Sequence, residues 1–180
     1  MVYVFLAEGF EETEALETVD ILRRADIEVQ TVSITGSKQV TGAHHITVCA
    51  DCLLEEAEMD DSQMLVLPGG LPGATNLASC APLLHAIQVQ VAAGRYVAAI
   101  CAAPMVLGKL GLLEHRRATC YPGFDKYLAG ADYTARLVET DGNIITGKGP
   151  AAVAEFAFAL VRILAGEAIE QEVRRGMLFA

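Results

Sequence analysis

Cys101 stands where an apolar run, Tyr96-Val97-Ala98-Ala99-Ile100, meets a helical pattern that begins at Met105 and carries Pro104 near its first turn. A continuous apolar run of this length reads as a strand buried on both faces. Proline is harmless at the start of a helix, because the N–H it lacks has no intrahelical partner there. A nucleophile on a sharp strand-to-helix turn needs small side chains two residues to either side, and Ala99 and Ala103 supply them. The positive end of the following helix dipole favours the thiolate. The pattern predicts a reactive cysteine. It leaves open a buried structural thiol, since free cysteine is among the most buried residue types.

A thiolate nucleophile calls for two further parts: donors for the oxygen that becomes negative, and a group that holds a proton. Gly69 and Gly70, which close the apolar run 63–67 after Pro68, can offer bare backbone N–H groups, or can be a turn and nothing more. Carboxylates crowd the first helical segment at Glu11, Glu12, Glu14 and Glu17. Acidic residues in a first turn are ordinary dipole partners, which accounts for Glu11 and Glu12. At about 100° per residue, Glu17 points outward with Asp20 and Arg24, whereas Glu14 shares the edge of the apolar arc with Ile21 and Ala25. A glutamate desolvated there keeps its proton to higher pH, can donate it to a sulfur anion, and can shuttle it during turnover. Glu11 also falls inside the arc, and periodicity does not decide between the two.

The elements that must position these residues alternate strand and helix. Residues 2–7 form an apolar strand, and 11–25 a helix with Ala15, Leu16, Val19, Ile21 and Leu22 on its inner arc. Residues 27–34 alternate as a strand, 39–41 and 45–50 pair as a hairpin, and 53–59 is acidic and weakly helical. Strand 63–67 precedes one or two helices within 72–94, broken near Cys80-Ala81-Pro82. After the Cys101 turn come a short strand at 117–120 and a short helix at 122–128, then segments 134–139 and 144–146 flanking the turn Asp141-Gly142. A long helix spans 150–165 and stops at Gly166, with another at 169–175. Repeated βαβ units predict one α/β domain over residues 1–180: a three-layer α/β/α sandwich with a mostly parallel sheet and its site at the carboxyl ends of the strands. Those ends include Ala7-Glu8-Gly9, Pro68-Gly69-Gly70 and Cys101.

Composition narrows the function classes. A net charge of −10, with basic residues paired only at 23–24, 116–117 and 174–175, argues against nucleic acid and anionic membranes as partners. No apolar run approaches the ~20 residues that cross a bilayer, and the opening residues lack the basic and apolar regions of a secretory signal. Cysteines 49, 52, 80, 101 and 120 are odd in number and scattered, the usage of a reducing cytoplasm. Cys49 and Cys52 have C-x-x-C spacing but follow a strand-like run, and no second pair supports zinc. His44 and His45 precede a strand, suited to the surface, to a contact between subunits or to the pocket of a partner; His85 and His115 read as solvated. No clustered ligand set predicts a metal, and no cofactor is expected.

Three stretches together carry a resemblance: Gly9-Phe10-Glu11-Glu12-Thr13-Glu14-Ala15, Val66-Leu67-Pro68-Gly69-Gly70 and Ala98-Ala99-Ile100-Cys101-Ala102-Ala103-Pro104, with Gly147-Lys148-Gly149-Pro150 as a fourth block. In order and spacing they resemble the ThiJ/PfpI superfamily, within it the branch of the parkinsonism-associated protein deglycase and bacterial YajL-like proteins. The resemblance implies a flavodoxin-like fold and a homodimer. By position it makes Cys101 the oxidisable nucleophile, Glu14 the protonated glutamate bonded to it, and Gly69 and Gly70 with the backbone of Ala102 the oxyanion pocket. Implied activities are cofactor-free conversion of small dicarbonyls to hydroxy acids, reversal of early glycation adducts, and oxidative-stress sensing or chaperoning through oxidation of Cys101 to a sulfinic acid. Three departures stand out. Ala102 occupies the place where peptidase-like relatives have histidine, so no Cys–His dyad and no proteolysis is expected. Thr119-Cys120-Tyr121-Pro122 lacks a pocket histidine of some relatives, and Tyr121 cannot act as a base near pH 7. Lys148 stands where arginine is frequent, which removes a bidentate anion contact. Cys120 is a candidate resolving partner for Cys101.

Overall fold

Short apolar runs become the inner strands of one sheet in the computed structural model, which describes residues 1–179. In chain order the elements are β1 (Val2–Leu6), α1 (Glu12–Arg24), β2 (Val29–Ser33), the hairpin β3 (Gln39–Thr41) and β4 (Thr47–Cys49), β5 (Cys52–Leu53) and β6 (Met64–Leu67). They continue with α2 (Gly73–Leu77), α3 (Ala81–Ala92), β7 (Tyr96–Ile100), α4 (Pro104–Lys109), β8 (Arg117–Ala118) and β9 (Asp132–Tyr133). The chain closes with β10 (Val138–Asp141), β11 (Ile144–Gly147), α5 (Val153–Ala165) and α6 (Glu167–Gly176). The main sheet has the order β10-β11-β7-β6-β1-β2-β5, with every neighbour parallel except the hairpin β10–β11. This is the α/β sandwich expected from the alternating pattern.

Successive strand residues face opposite layers. Val2, Val4, Met64, Val66, Ala98 and Ile100 pack under α1, α5 and α6 through Leu22, Phe156, Leu160 and Val173. Tyr3, Phe5, Leu65, Leu67, Val97 and Ala99 pack under α2, α3 and α4 through Leu77, Leu83, Ile87, Val106 and Leu107. β1, β6 and β7 are adjacent and parallel, so their carboxyl ends open together. The chain crosses there directly: Glu11 N–H donates to Gly69 O at 2.9 Å, and Gly73 N–H to Gly9 O at 3.1 Å.

Several local expectations change. Leu16, placed on the inner arc of α1 by periodicity, is 38% exposed, while Glu12 of the same helix is buried. The acidic stretch after Cys52 is β5 followed by one 3-10 turn, Leu54–Glu56, rather than a helix. The segment before the last long helix is likewise 3-10 at Pro150–Ala152, because the fixed backbone of Pro150 follows an extended Gly149. The segment beginning at Pro122 forms only the 3-10 turn Asp125–Tyr127. The position of Cys101 does not change: β7 is flanked by β6 and β11, and the cysteine lies at its carboxyl end, as expected.

Candidate active site

Cys101 has a left-handed backbone, φ +63°, a conformation that strains a residue with a side chain by about 1–3 kcal/mol. Two hydrogen bonds clamp it. Its N–H donates to Gly147 O at the end of β11 at 2.9 Å, and its carbonyl accepts from Tyr121 N–H at 2.8 Å. Ala99 and Ala103 are fully buried around the turn, which leaves room for no larger side chain. The residue itself is 8% exposed. The helix beyond it, α4, is only six residues long. Individual N–H groups therefore take the place of the helix dipole that the sequence suggested: those of Gly70 and Ala102 both face the sulfur and favour its anion.

Glu14 is the carboxylate that meets this turn. It is 1% exposed, and Oε2 accepts the Gly69 N–H at 2.7 Å. Oε1 is buried without a well-formed hydrogen bond. The Cys101 thiol lies beside the carboxyl and couples to it as a side-chain hydrogen-bonding partner. Burial pushes the Glu14 carboxyl up to about 7, opposed by the contacts with Cys101 and Gly69. Burial, then the facing Glu14 charge, push the Cys101 thiol up to about 12, opposed by the Gly70 and Ala102 N–H groups. The two groups thus compete over one proton. A proton on Glu14 removes the repelling charge and supplies a donor to the sulfur; a proton on Cys101 leaves a buried carboxylate.

Glu11 is turned to other work. Its carboxylate accepts from the Thr13 hydroxyl at 2.9 Å and lies 3.6 Å from His44 Nδ1. The alternative that periodicity left open is closed by this geometry. The glycine pair divides its labour as well. The Gly69 N–H is committed to Glu14, so it does not point at an oxygen on the substrate; Gly70 and Ala102 hold the donors that face Cys101. Gly69 must lack a side chain, since a Cβ there would stand 2.6 Å from Cys101 Cβ and 2.7 Å from Glu14 Oε2. Gly70 has φ +85°, which only glycine adopts without strain.

Glu12 is a residue that sequence reasoning passed over as a dipole partner. Its carboxylate accepts from the N–H of His44 at 2.8 Å and of Ile46 at 3.3 Å, and pairs with His44 Nδ1 at 2.9 Å. Burial alone raises such a group, but the hydrogen bonds outweigh it and hold Glu12 below the ordinary carboxylate value. It bolts the tip of the β3–β4 hairpin to the start of α1. The signal that could have found it is Gly42, whose missing side chain makes room for this carboxyl. Among the described residues, Glu11, Glu12 and His44 are also a grouping with metal-ligand spacing, their ligand atoms within 4.8 Å of one another. Glu12 is already occupied by its three donors. Among the other cysteines, burial, then Asp125, push the Cys120 thiol up to about 12, and Cys120 directly precedes Tyr121, whose N–H meets the Cys101 carbonyl; Cys49 is exposed on β4 and Cys52 buried on β5.

The family model described as the DJ-1/PfpI family matches residues 1–163. The chain belongs to that family. Protein DJ-1 homolog B of Arabidopsis thaliana is 40% identical over 174 residues, which cover 96% of this chain and 40% of the plant protein, so this chain spans less than half of that relative. The glutathione-independent glyoxalase DJR-1.2 of Caenorhabditis elegans is 31% identical over 160 residues, 88% of this chain and 85% of that one. The crystal structure of Drosophila melanogaster DJ-1beta superposes with a TM-score of 0.96 at 35% identity, covering 99% of this chain and 97% of the fly chain.

Within this DJ-1/PfpI chain the histidines stay off the Cys101 thiol. His44 is engaged with Glu12, His85 is exposed on α3, and His115 is exposed beside Glu114. None of them is among the groups that act on the Cys101 thiol. Lys148 is also near the turn, but its ammonium donates to Ala135 O at 3.0 Å. Among the described residues no helix is long and apolar enough to cross a membrane.

Proposed function

We propose that this DJ-1/PfpI protein converts small α-oxoaldehydes, R–CO–CHO, to 2-hydroxy acids without a cofactor, using Cys101 as nucleophile and Glu14 as the proton-holding group. The observation that carries this reading is the buried Glu14 carboxyl, one oxygen fixed by Gly69 and the other left without a firm partner beside the Cys101 thiol. The Cys101 thiol passes its proton to the Glu14 carboxylate as the sulfur attacks the aldehyde carbon; a C–S bond forms and the π pair moves to oxygen, where the Gly70 and Ala102 N–H groups receive the charge. Glu14 gives its proton to that oxygen, producing a hemithioacetal. The resulting carboxylate takes the proton from the former aldehyde carbon, and the enediol is reprotonated at the neighbouring carbon. This internal transfer oxidises one carbon and reduces the other, so no external redox partner is needed. Water then cleaves the thioester, releasing R–CH(OH)–COOH and the thiol. An early glycation adduct, a hemiaminal of the same aldehyde, would lose its amine and the remaining oxoaldehyde would follow the same course to the hydroxy acid.

The name of the worm relative, a glutathione-independent glyoxalase, supports the reading. The decisive experiment follows lactate formation from methylglyoxal by purified wild-type and Cys101→Ser protein. The expected result is turnover in the first and none in the second. Undiminished lactate formation by Cys101→Ser would remove the mechanism. The lack of an imidazole on the thiol weighs against peptidase chemistry.

A second reading uses the same donors. Gly70, Ala102 and a protonated Glu14 are suited to hold the oxygens of a cysteine sulfinate, and the protein would then sense oxidants or act as a redox-controlled chaperone. Selective gain of two oxygens at Cys101 under mild peroxide, read by mass spectrometry, supports it; oxidation of the exposed Cys49 with Cys101 untouched rules it out. We also propose a homodimer in the cytoplasm, with a second copy covering the exposed Leu16 and Ile46, which adjoin Glu12 on α1 and the hairpin tip. A monomer at micromolar concentration in sedimentation would refute it.

A further inference from the structure

The residues that clamp Cys101 continue into the walls of a small recess. Tyr121, whose N–H holds the Cys101 carbonyl at 2.8 Å, forms one wall; Gly149 and Pro150, just beyond the Gly147 carbonyl that accepts the Cys101 N–H, begin the other. The recess measures about 180 Å³. Its lining is apolar, from Tyr121, Pro122, Leu137, Pro150, Ala151 and Ala152. The single charged side chain at its rim, Lys148, has its ammonium tied to Ala135 O and presents its stem. The Tyr121 ring is fixed against Gly149, where a Cβ would stand 3.1 Å from Cδ2, and packs edge-on to Phe124 at 6.5 Å. It is nonetheless 47% exposed, as is Leu137 at 51%. A half-exposed aromatic wall whose backbone is hydrogen-bonded to Cys101 is an unfilled apolar contact surface.

We propose that this recess receives the substituent R of the substrate R–CO–CHO and selects an aryl group over hydrogen. The inference rests on the oxoaldehyde reading above. An apolar cavity of about 150 Å³ is large enough to take benzene, so a phenyl group fits, whereas glyoxal, with R equal to hydrogen, gains nothing from these walls. Tyr121 acts here as a binding surface, which suits a side chain that cannot serve as a base near neutral pH.

The test compares kcat/KM for phenylglyoxal and glyoxal in wild type, Ala151→Leu, which fills the recess, and Tyr121→Ala, which removes its wall. Phenylglyoxal is expected to be preferred, with the preference falling about tenfold in each variant, the scale of a lost or blocked apolar contact. Ala151 is exposed and Tyr121 half-exposed, so both variants should fold. A readout independent of turnover uses Cys101→Ser protein and NMR: mandelate, the hydroxy acid formed from phenylglyoxal, should shift the methyl signals of Ala151 and Ala152, and glycolate at equal concentration should not. An unchanged preference in Ala151→Leu, or no mandelate shift, overturns the recess assignment while leaving oxoaldehyde turnover intact. Mandelate shifts in a protein whose wild type turns over neither aldehyde support the recess and overturn the enzymatic reading instead.

Discussion

The Gly69 amide donates to Glu14 Oε2 at 2.7 Å across 55 residues of sequence, tying the segment after β6 to the first turn of α1 beside the Cys101 thiol. One short bond aligns the carboxyl and occupies the N–H of the first glycine, leaving those of Gly70 and Ala102 to face Cys101.

Gly69→Ala tests that division. The added methyl would meet both Cys101 Cβ and Glu14 Oε2. Overpacking of this kind costs about 1–3 kcal/mol. Oxoaldehyde turnover should be lost, with the unfolding free energy from urea titration lowered by that amount. Wild-type turnover in a folded Gly69→Ala protein would show that Glu14 is not aligned through this amide.

The shared proton is read by iodoacetamide alkylation of Cys101 against pH. The Glu14 charge is one of the causes that push the Cys101 thiol up, so Glu14→Gln, which removes that charge, should move the alkylation midpoint to lower pH, while turnover should fall by roughly 10²–10⁴, the usual contribution of a positioned acid–base group. A midpoint that moves to higher pH would show that the wild-type carboxyl faces the sulfur as a proton donor and not as a charge.

Glu14 also makes stability depend on pH. Burial raises its carboxyl from 4.5 to about 7 in the folded protein, so the folded state binds the extra proton between those values. Its contribution is complete below about 4.5 and is lost as pH rises through 7, amounting to roughly 3 kcal/mol at about 1.4 kcal/mol per unit. Urea unfolding between pH 4.5 and 8 should show wild type losing stability relative to Glu14→Gln. Parallel curves would mean that this carboxyl is not perturbed by folding.

Glu12→Ala should destabilise the protein by about 1.5–3 kcal/mol, the range for hydrogen bonds to a charged group, and should raise amide exchange at His44 and Ile46. Glu11→Ala, which removes a more exposed carboxylate bonded to Thr13, should cost less. Equal losses would show that the hairpin is held by its other contacts, such as Ala43 N–H to Phe10 O at 2.8 Å.

The alternating strands and helices, the parallel sheet and the elbow at Cys101 were legible in the residues alone, because hydrophobic period and turn chemistry are local properties. Small residues at 99 and 103 and proline at 104 told of a turn before any coordinate did. Local patterning could not say that Glu12 is buried, since that depends on a hairpin more than twenty residues away, nor that Leu16 is left exposed.

Tertiary structure decided the roles. Glu11 and Glu14 lie one helical turn apart, and only the packing of β6 against α1 chooses which of them meets the sulfur. Nothing local marks Gly147 or Tyr121 as the groups that hold Cys101 in its left-handed backbone, because their bonds span 46 and 20 residues. Periodicity sets which face of an element is apolar; the direction of a particular N–H or carboxyl is fixed only when distant segments close around it.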